Sequence, residues 1–134
     1  MTPCTQGVDH IGLAVMDLKT TLPFFTETLG FQEVGGRAEY PAVFVSDGTV
    51  MITLWQTEED PYPFDRMANV GLHHVALRVE NEKALQAVFR KLEQTPDVVV
   101  ECPPIPLESG NGSHMMCLEP GGIRIEFIWR SGEK

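Results

Sequence analysis

The chain repeats itself, and that repetition limits the folds open to it more than any other feature. Gly71-Leu72-His73-His74-Val75-Ala76-Leu77-Arg78-Val79 echoes Gly7-Val8-Asp9-His10-Ile11-Gly12-Leu13-Ala14-Val15 at an offset of 64 (74 − 10). A second overlay sets the stretch 47–54 on 120–127 at an offset of 73 (126 − 53), which places Thr53 opposite Glu126. The second copy therefore carries about nine extra residues, most simply in its Pro-rich stretch. Self-similarity at this spacing means one supersecondary unit built twice.

Each copy reads as β-α-β-β-β. In the first, residues 7–15 alternate as a strand. Asp17 then caps a helix whose Leu18, Leu22, Phe25 and Leu29 form one apolar stripe, interrupted at Pro23 and stopped at Gly30. Residues 31–35, 40–46 and 50–56 are expected strands, with the Asp47-Gly48 turn between the last two. The acidic, Pro-containing stretch 57–69 is a linker or surface loop. In the second copy strand 72–79 leads to a helix capped by Asn81, with Leu85, Val88, Phe89 and Leu92 on one side. Strands then follow at 98–101, 113–118 and 123–129, with 102–112 expected as a long loop. The fold class expected is α+β. Two βαβββ repeats, about 7–56 and 71–129, form one domain over 1–134, with helices outside an open, half-barrel mixed sheet.

Charge narrows the partners. Ten Lys and Arg stand against nineteen Asp and Glu, a net charge of −9. Nucleic acid and anionic membranes reward clustered positive charge, so neither is an expected partner. Cys4, Cys102 and Cys117 make an odd set with no CxxC, and the first residues lack the basic and apolar regions of a secretory signal. The expected setting is the reducing cytoplasm.

Alternation puts Ile11, Leu13 and Val15, and likewise Val75, Leu77 and Val79, on the helix-covered face. His10, His74 and Glu126 then share the open face. Neutral imidazoles and a carboxylate suit one divalent ion such as Fe²⁺, Mn²⁺, Co²⁺, Ni²⁺ or Zn²⁺, and three ligands leave positions for water or a chelating substrate. Arg78 and Arg124 lie on the same face, suited to an acid partner or to a substrate carboxylate or phosphate. Thr53, Met51 and Trp55 line the matching face of the first copy. By the same alternation His73 points to the helix side, His114 overlays Pro41 on a solvated rim, and Cys117 is a core residue.

The repeat, its paired histidines, and the Glu-Pro-Gly-Gly-Ile-Arg-Ile-Glu-Phe segment at 119–127 together resemble the vicinal-oxygen-chelate superfamily. That group includes glyoxalase I, methylmalonyl-CoA epimerase, extradiol dioxygenases, fosfomycin-resistance enzymes and bleomycin-resistance proteins. The resemblance implies a metal held by His10, His74 and Glu126, with Glu126 also catalytic. Their place on the open face makes Arg78, Thr53, Trp55 and Arg124 candidate substrate contacts, and the resemblance implies a homodimer acting on a small molecule. Thr53 departs from the pattern, since isomerising members often carry Glu or Gln there. The epimerase's second carboxylate falls around Ala42 or Phe44, where no acid stands. The implied function is a metal-dependent enzyme, dioxygenase-like or a glyoxalase-like lyase or isomerase; the alternative is a metal-free binding protein of the bleomycin-resistance type.

Overall fold

The computed structural model describes residues 1–132. The chain divides into two compact units, residues 1–61 and 62–134, and the division falls in the acidic linker. Each unit contains four strands and one helix in the order β-α-β-β-β.

In the first unit, β1 (His10–Val15) leads to α1 (Leu18–Pro23), then β2 (Gln32–Arg37), β3 (Ala42–Ser46) and β4 (Met51–Gln56). The strand order is β1-β4-β3-β2, with β1 parallel to β4 and the other pairs antiparallel. The Asp17 carboxylate accepts from Lys19 N and starts α1. Pro23 has no N–H to continue the ladder and its ring crowds the preceding turn. The helix answers by widening into a π-type segment over Phe24–Thr28, with Leu29 N bonded back to Phe24 O. That change rotates the apolar stripe: Thr21, Phe24 and Phe25 are the buried positions, while Leu18, Leu22 and Leu29 are only partly covered. Leu13, Val15, Val45, Ile52 and Leu54 complete this core.

The second unit repeats the plan with β5 (Val75–Arg78), α2 (Glu82–Glu93), β6 (Val99–Pro106), β7 (Gly112–Leu118) and β8 (Arg124–Arg130). Its order is β5-β8-β7-β6, again with one parallel pair, β5 with β8. Asn81 caps α2 through Ala84 N, and Leu85 and Leu92 are buried together with Val75, Leu77, Met115, Cys117, Ile125 and Phe127. Neither four-stranded sheet is closed.

The repeat is legible in the register. Gly12 pairs with Thr53 across the parallel strands of the first unit, and Ala76 with Glu126 in the second, the positions that the offsets 64 and 73 equate. The extra residues are not all in the Pro-rich stretch. One lies in the last turn, because Ser46 closes onto Met51 across four residues while Leu118 closes onto Arg124 across five. His114 therefore corresponds to Ala42 and not to Pro41.

Two strands run further than expected. β2 runs on through Gly35-Gly36-Arg37, and β6 through Cys102-Pro103-Pro104. Both are edge strands, where a residue without a donor can face away from the ladder. The β6 pairing is irregular at the prolines, between Val100 and Cys102 and between Cys102 and Ile105. In β2 Gly36 is required by crowding: a Cβ there would stand 2.7 Å from Ala42 O. Among the described residues no helix is long and apolar enough to cross a membrane.

Candidate functional site

The open face of the second sheet carries the chemistry. Residues paired across strands share a face, so Ala76, Arg78, Arg124, Glu126, Ile128, His114 and Met116 line the side opposite α2. His74 stands just before β5, which starts one residue later, at Val75.

Glu126 is the centre of this face. Only 9% of the residue is exposed, and both carboxylate oxygens meet an imidazole. Oε1 lies 3.2 Å from His74 Nε2, and Oε2 accepts a short 2.6 Å hydrogen bond from His114 Nδ1. His114 reaches Glu126 diagonally, because its direct partner on β8 is Ile128. The overlay on Pro41 sets His114 on a solvated rim; the longer turn shifts its register and brings it to the carboxylate.

Two tight turn bonds fix the strand that delivers Glu126. The buried Glu119 carboxylate accepts from Gly121 N at 2.9 Å and Ile123 N at 3.0 Å, immediately before β8. This gives the Glu-Pro-Gly-Gly segment its physical role. A carboxylate holds the turn, and Gly122 takes the left-handed φ of 95° that the turn demands.

His74 has a second contact, through Nδ1, which lies 2.8 Å from His73 Nδ1. His73 Nδ1 in turn faces Arg124 Nη1 at 3.3 Å. Arg124 is held at its other side by Glu101, Nε to Oε1 at 2.7 Å, and Arg66 approaches the far oxygen of Glu101 at 3.7 Å. Partial desolvation, then the Arg124 and His74 charges, lower the pKa of His73 below the usual imidazole value. His73 does not point to the helix side as alternation suggests, because the strand begins only after it. Arg78 ends β5 on the same face and is exposed.

In the first unit His10 opens β1 and its Nδ1 lies 2.8 Å from Asp9 Oδ1. A carboxylate that accepts a hydrogen bond from Nδ1–H leaves Nε2 as the bare nitrogen of a neutral imidazole, a common pattern in metal-binding histidines. Thr53 is buried, and its hydroxyl accepts from Trp55 Nε1 at 2.8 Å. Trp55 is flanked by Tyr40 and Phe44, ring centroids 4.9 and 5.9 Å away, with the Arg37 guanidinium 6.0 Å from the indole centroid. Among the described residues, no group of three or more His, Cys, Asp or Glu side chains is gathered as a complete metal site. The second unit offers a pair of facing donors, His74 and Glu126.

Sequence reasoning missed His114, His73, Glu101 and Asp9 as contributors. Counting residues in the two β-hairpin turns would have found His114; the others depend on side-chain contacts that no spacing encodes.

The family model described as the Glyoxalase/Bleomycin resistance protein/Dioxygenase superfamily matches residues 7–127. No curated protein matches the sequence. Among solved structures, a glyoxylase/bleomycin resistance protein/dioxygenase domain from Frankia sp. EAN1pec is similar at 23% identity and a TM-score of 0.81, covering 97% of this chain and 96% of that one. A lactoylglutathione lyase from Agrobacterium tumefaciens is similar at 17% identity and a TM-score of 0.72, covering 95% and 96%. The fosfomycin resistance protein FosX from Listeria monocytogenes, as a variant complexed with Mn(II) and 1S,2S-dihydroxypropylphosphonic acid, is similar at 18% identity and a TM-score of 0.73, covering 96% and 94%.

Proposed function

The chain belongs to the Glyoxalase/Bleomycin resistance protein/Dioxygenase superfamily, and from that membership we propose a divalent-metal-dependent enzyme acting on a small substrate with two neighbouring oxygens. One observation carries the reading: His74 Nε2 and Glu126 Oε1 face each other at 3.2 Å on a half-buried surface. Two donor atoms each about 2.1 Å from one ion, at octahedral to tetrahedral angles, lie about 3.0–3.4 Å apart. The spacing suits a shared ion. His10, the equivalent of His74 in the first repeat, is likewise proposed as a metal donor, and a hydrogen bond from its Nδ1 to Asp9 leaves its Nε2 bare. Fe²⁺, Mn²⁺, Co²⁺, Ni²⁺ and Zn²⁺ all accept such a donor set.

A divalent ion bound there supplies Lewis acidity to the substrate oxygens. The chain's own residues do the rest. Glu126 is the proposed catalytic carboxylate, and His114 holds its second oxygen and so its orientation. Arg78 is the proposed anchor for a substrate anion, and in the first unit Trp55 is a proposed apolar substrate contact. Thr53, whose hydroxyl is taken by the Trp55 indole, provides no second base near neutral pH. The reading therefore favours oxygen-dependent or nucleophile-addition chemistry over glyoxalase-like or epimerase-like proton transfer.

The test is thermal unfolding of protein made without a histidine tag, with each of the five ions. A ligand at 100 times its dissociation constant adds about 2.7 kcal/mol. Spread over 134 residues, that raises the midpoint by roughly 10 °C. His74→Ala and Glu126→Ala should abolish the rise. No rise with any ion favours the second reading, a metal-free protein that sequesters a small molecule, for which the aromatic cluster of Trp55, Tyr40 and Phe44 is the supporting observation.

A further inference from the structure

The Arg124–His73–His74 chain has a direction, and it follows from what each group can donate. A guanidinium has five N–H donors and no acceptor. Arg124 Nη1 lies 3.3 Å from His73 Nδ1, a contact that favours a lone pair over an N–H on that nitrogen. The same nitrogen lies 2.8 Å from His74 Nδ1, and two lone pairs at that distance repel. His74 Nδ1 is therefore the donor. A neutral imidazole carries one N–H, which leaves His74 Nε2 bare toward Glu126 Oε1. Two acceptors then face each other, an arrangement that a cation between them relieves.

We propose that Arg124, acting through His73, is a positioning residue that sets the tautomer of His74 and keeps its Nε2 available as a metal donor. Glu101 completes the device by holding the guanidinium from its other side at 2.7 Å. Arg124 is thereby occupied within the protein and is not an anchor for substrate. The role parallels that of carboxylates and carbonyls behind other metal-binding histidines, whose removal typically weakens metal binding about 10–100-fold. Here a second imidazole, itself fixed by an arginine, takes that place. The proposal rests on the metal reading above for its consequence, but the tautomer can be observed without any metal.

The experiment is two-bond ¹H–¹⁵N correlation of ¹⁵N-histidine-labelled, metal-free protein at about pH 8, where an ordinary imidazole is neutral. His74 is expected as the Nδ1–H tautomer in the native protein. Arg124→Met should move it toward the Nε2–H form and weaken Mn²⁺ binding, measured by calorimetry, by about 10–100-fold. His73→Asn keeps an oxygen acceptor for the His74 proton and should retain the Nδ1–H form; it also serves if Arg124→Met does not fold. An Nε2–H signal for native His74 overturns the proposal, as does an Arg124→Met protein with native tautomer and native Mn²⁺ affinity. A native Nδ1–H signal that shifts in Arg124→Met, in a protein that binds no divalent ion, supports the device and refutes the metal reading instead.

Discussion

Removing His114 tests how Glu126 is held. His114→Leu keeps an apolar body of similar reach and deletes the donor to Oε2. The bond lost is 2.6 Å long and links side chains that are 26% and 12% exposed. A hydrogen bond to a charged group in such a setting contributes about 1.5–3 kcal/mol. Without it, one oxygen of a buried carboxylate is left unpaired and Glu126 is free to turn. In the metal-free protein the expected loss is therefore about 1.5–3 kcal/mol. With an unfolding entropy near 2.1 cal/mol/K per residue, that lowers the midpoint by roughly 5–11 °C. For Mn²⁺, loss of a residue that orients a ligand typically raises the dissociation constant about 10–100-fold. Calorimetry and thermal unfolding of the one preparation supply both readouts, and His114→Gln, which keeps an N–H donor, should recover part of each. A His114→Leu protein with native midpoint and Mn²⁺ affinity within twofold of native would refute the role given to this bond.

Three further outcomes follow from the structure. Burial, then the Glu119 and Glu101 charges, push the Cys117 thiol up to about 12, against an ordinary value of 9.0. Its folded pKa is raised, so its contribution is fully present below pH 9 and is lost as pH rises toward 12; native protein should lose about 1.4 kcal/mol per pH unit over that window relative to Cys117→Ala, and parallel profiles would contradict this. With Thr53 supplying no base, a hemithioacetal should be turned over far below the enzyme-typical ~10 s⁻¹ under Ni²⁺, Co²⁺, Mn²⁺ or Zn²⁺; turnover at that rate would show that Thr53 is no obstacle. β2 is exposed at every position of an edge strand, and such edges invite pairing, so light scattering should give twice the 14.9 kDa chain mass, while the single-chain mass alone would count against a homodimer.

How much of this was legible in the sequence depends on the kind of information each feature carries. Alternation in 10–15 and 75–78 and the two helix caps, Asp17 and Asn81, are local, and the two offsets equate Gly12 with Ala76 and Thr53 with Glu126, positions that pair alike in the two units. Pro23 signalled a disturbance in α1, but not that a π-type segment would absorb it and bring Phe24 into the core. The Pro-rich stretch looked like a loop because an edge strand that tolerates Pro103 and Pro104 cannot be told from one by composition. His114 was misplaced by one residue, since an insertion inside a turn slides every position behind it. The His73–Arg124–Glu101 chain joins residues from β5's approach, β8 and β6, and no local pattern announces such a contact.

The central claim is that His74 and Glu126 hold a divalent ion. It is tested most directly by metal analysis of protein purified without a histidine tag, equilibrated with Mn²⁺ and passed through a desalting column. The account predicts one ion per chain in the native protein and in Thr53→Ala, and almost none in His74→Ala or Glu126→Ala. Native protein without bound metal, or a Thr53→Ala protein stripped as completely as His74→Ala, would contradict it.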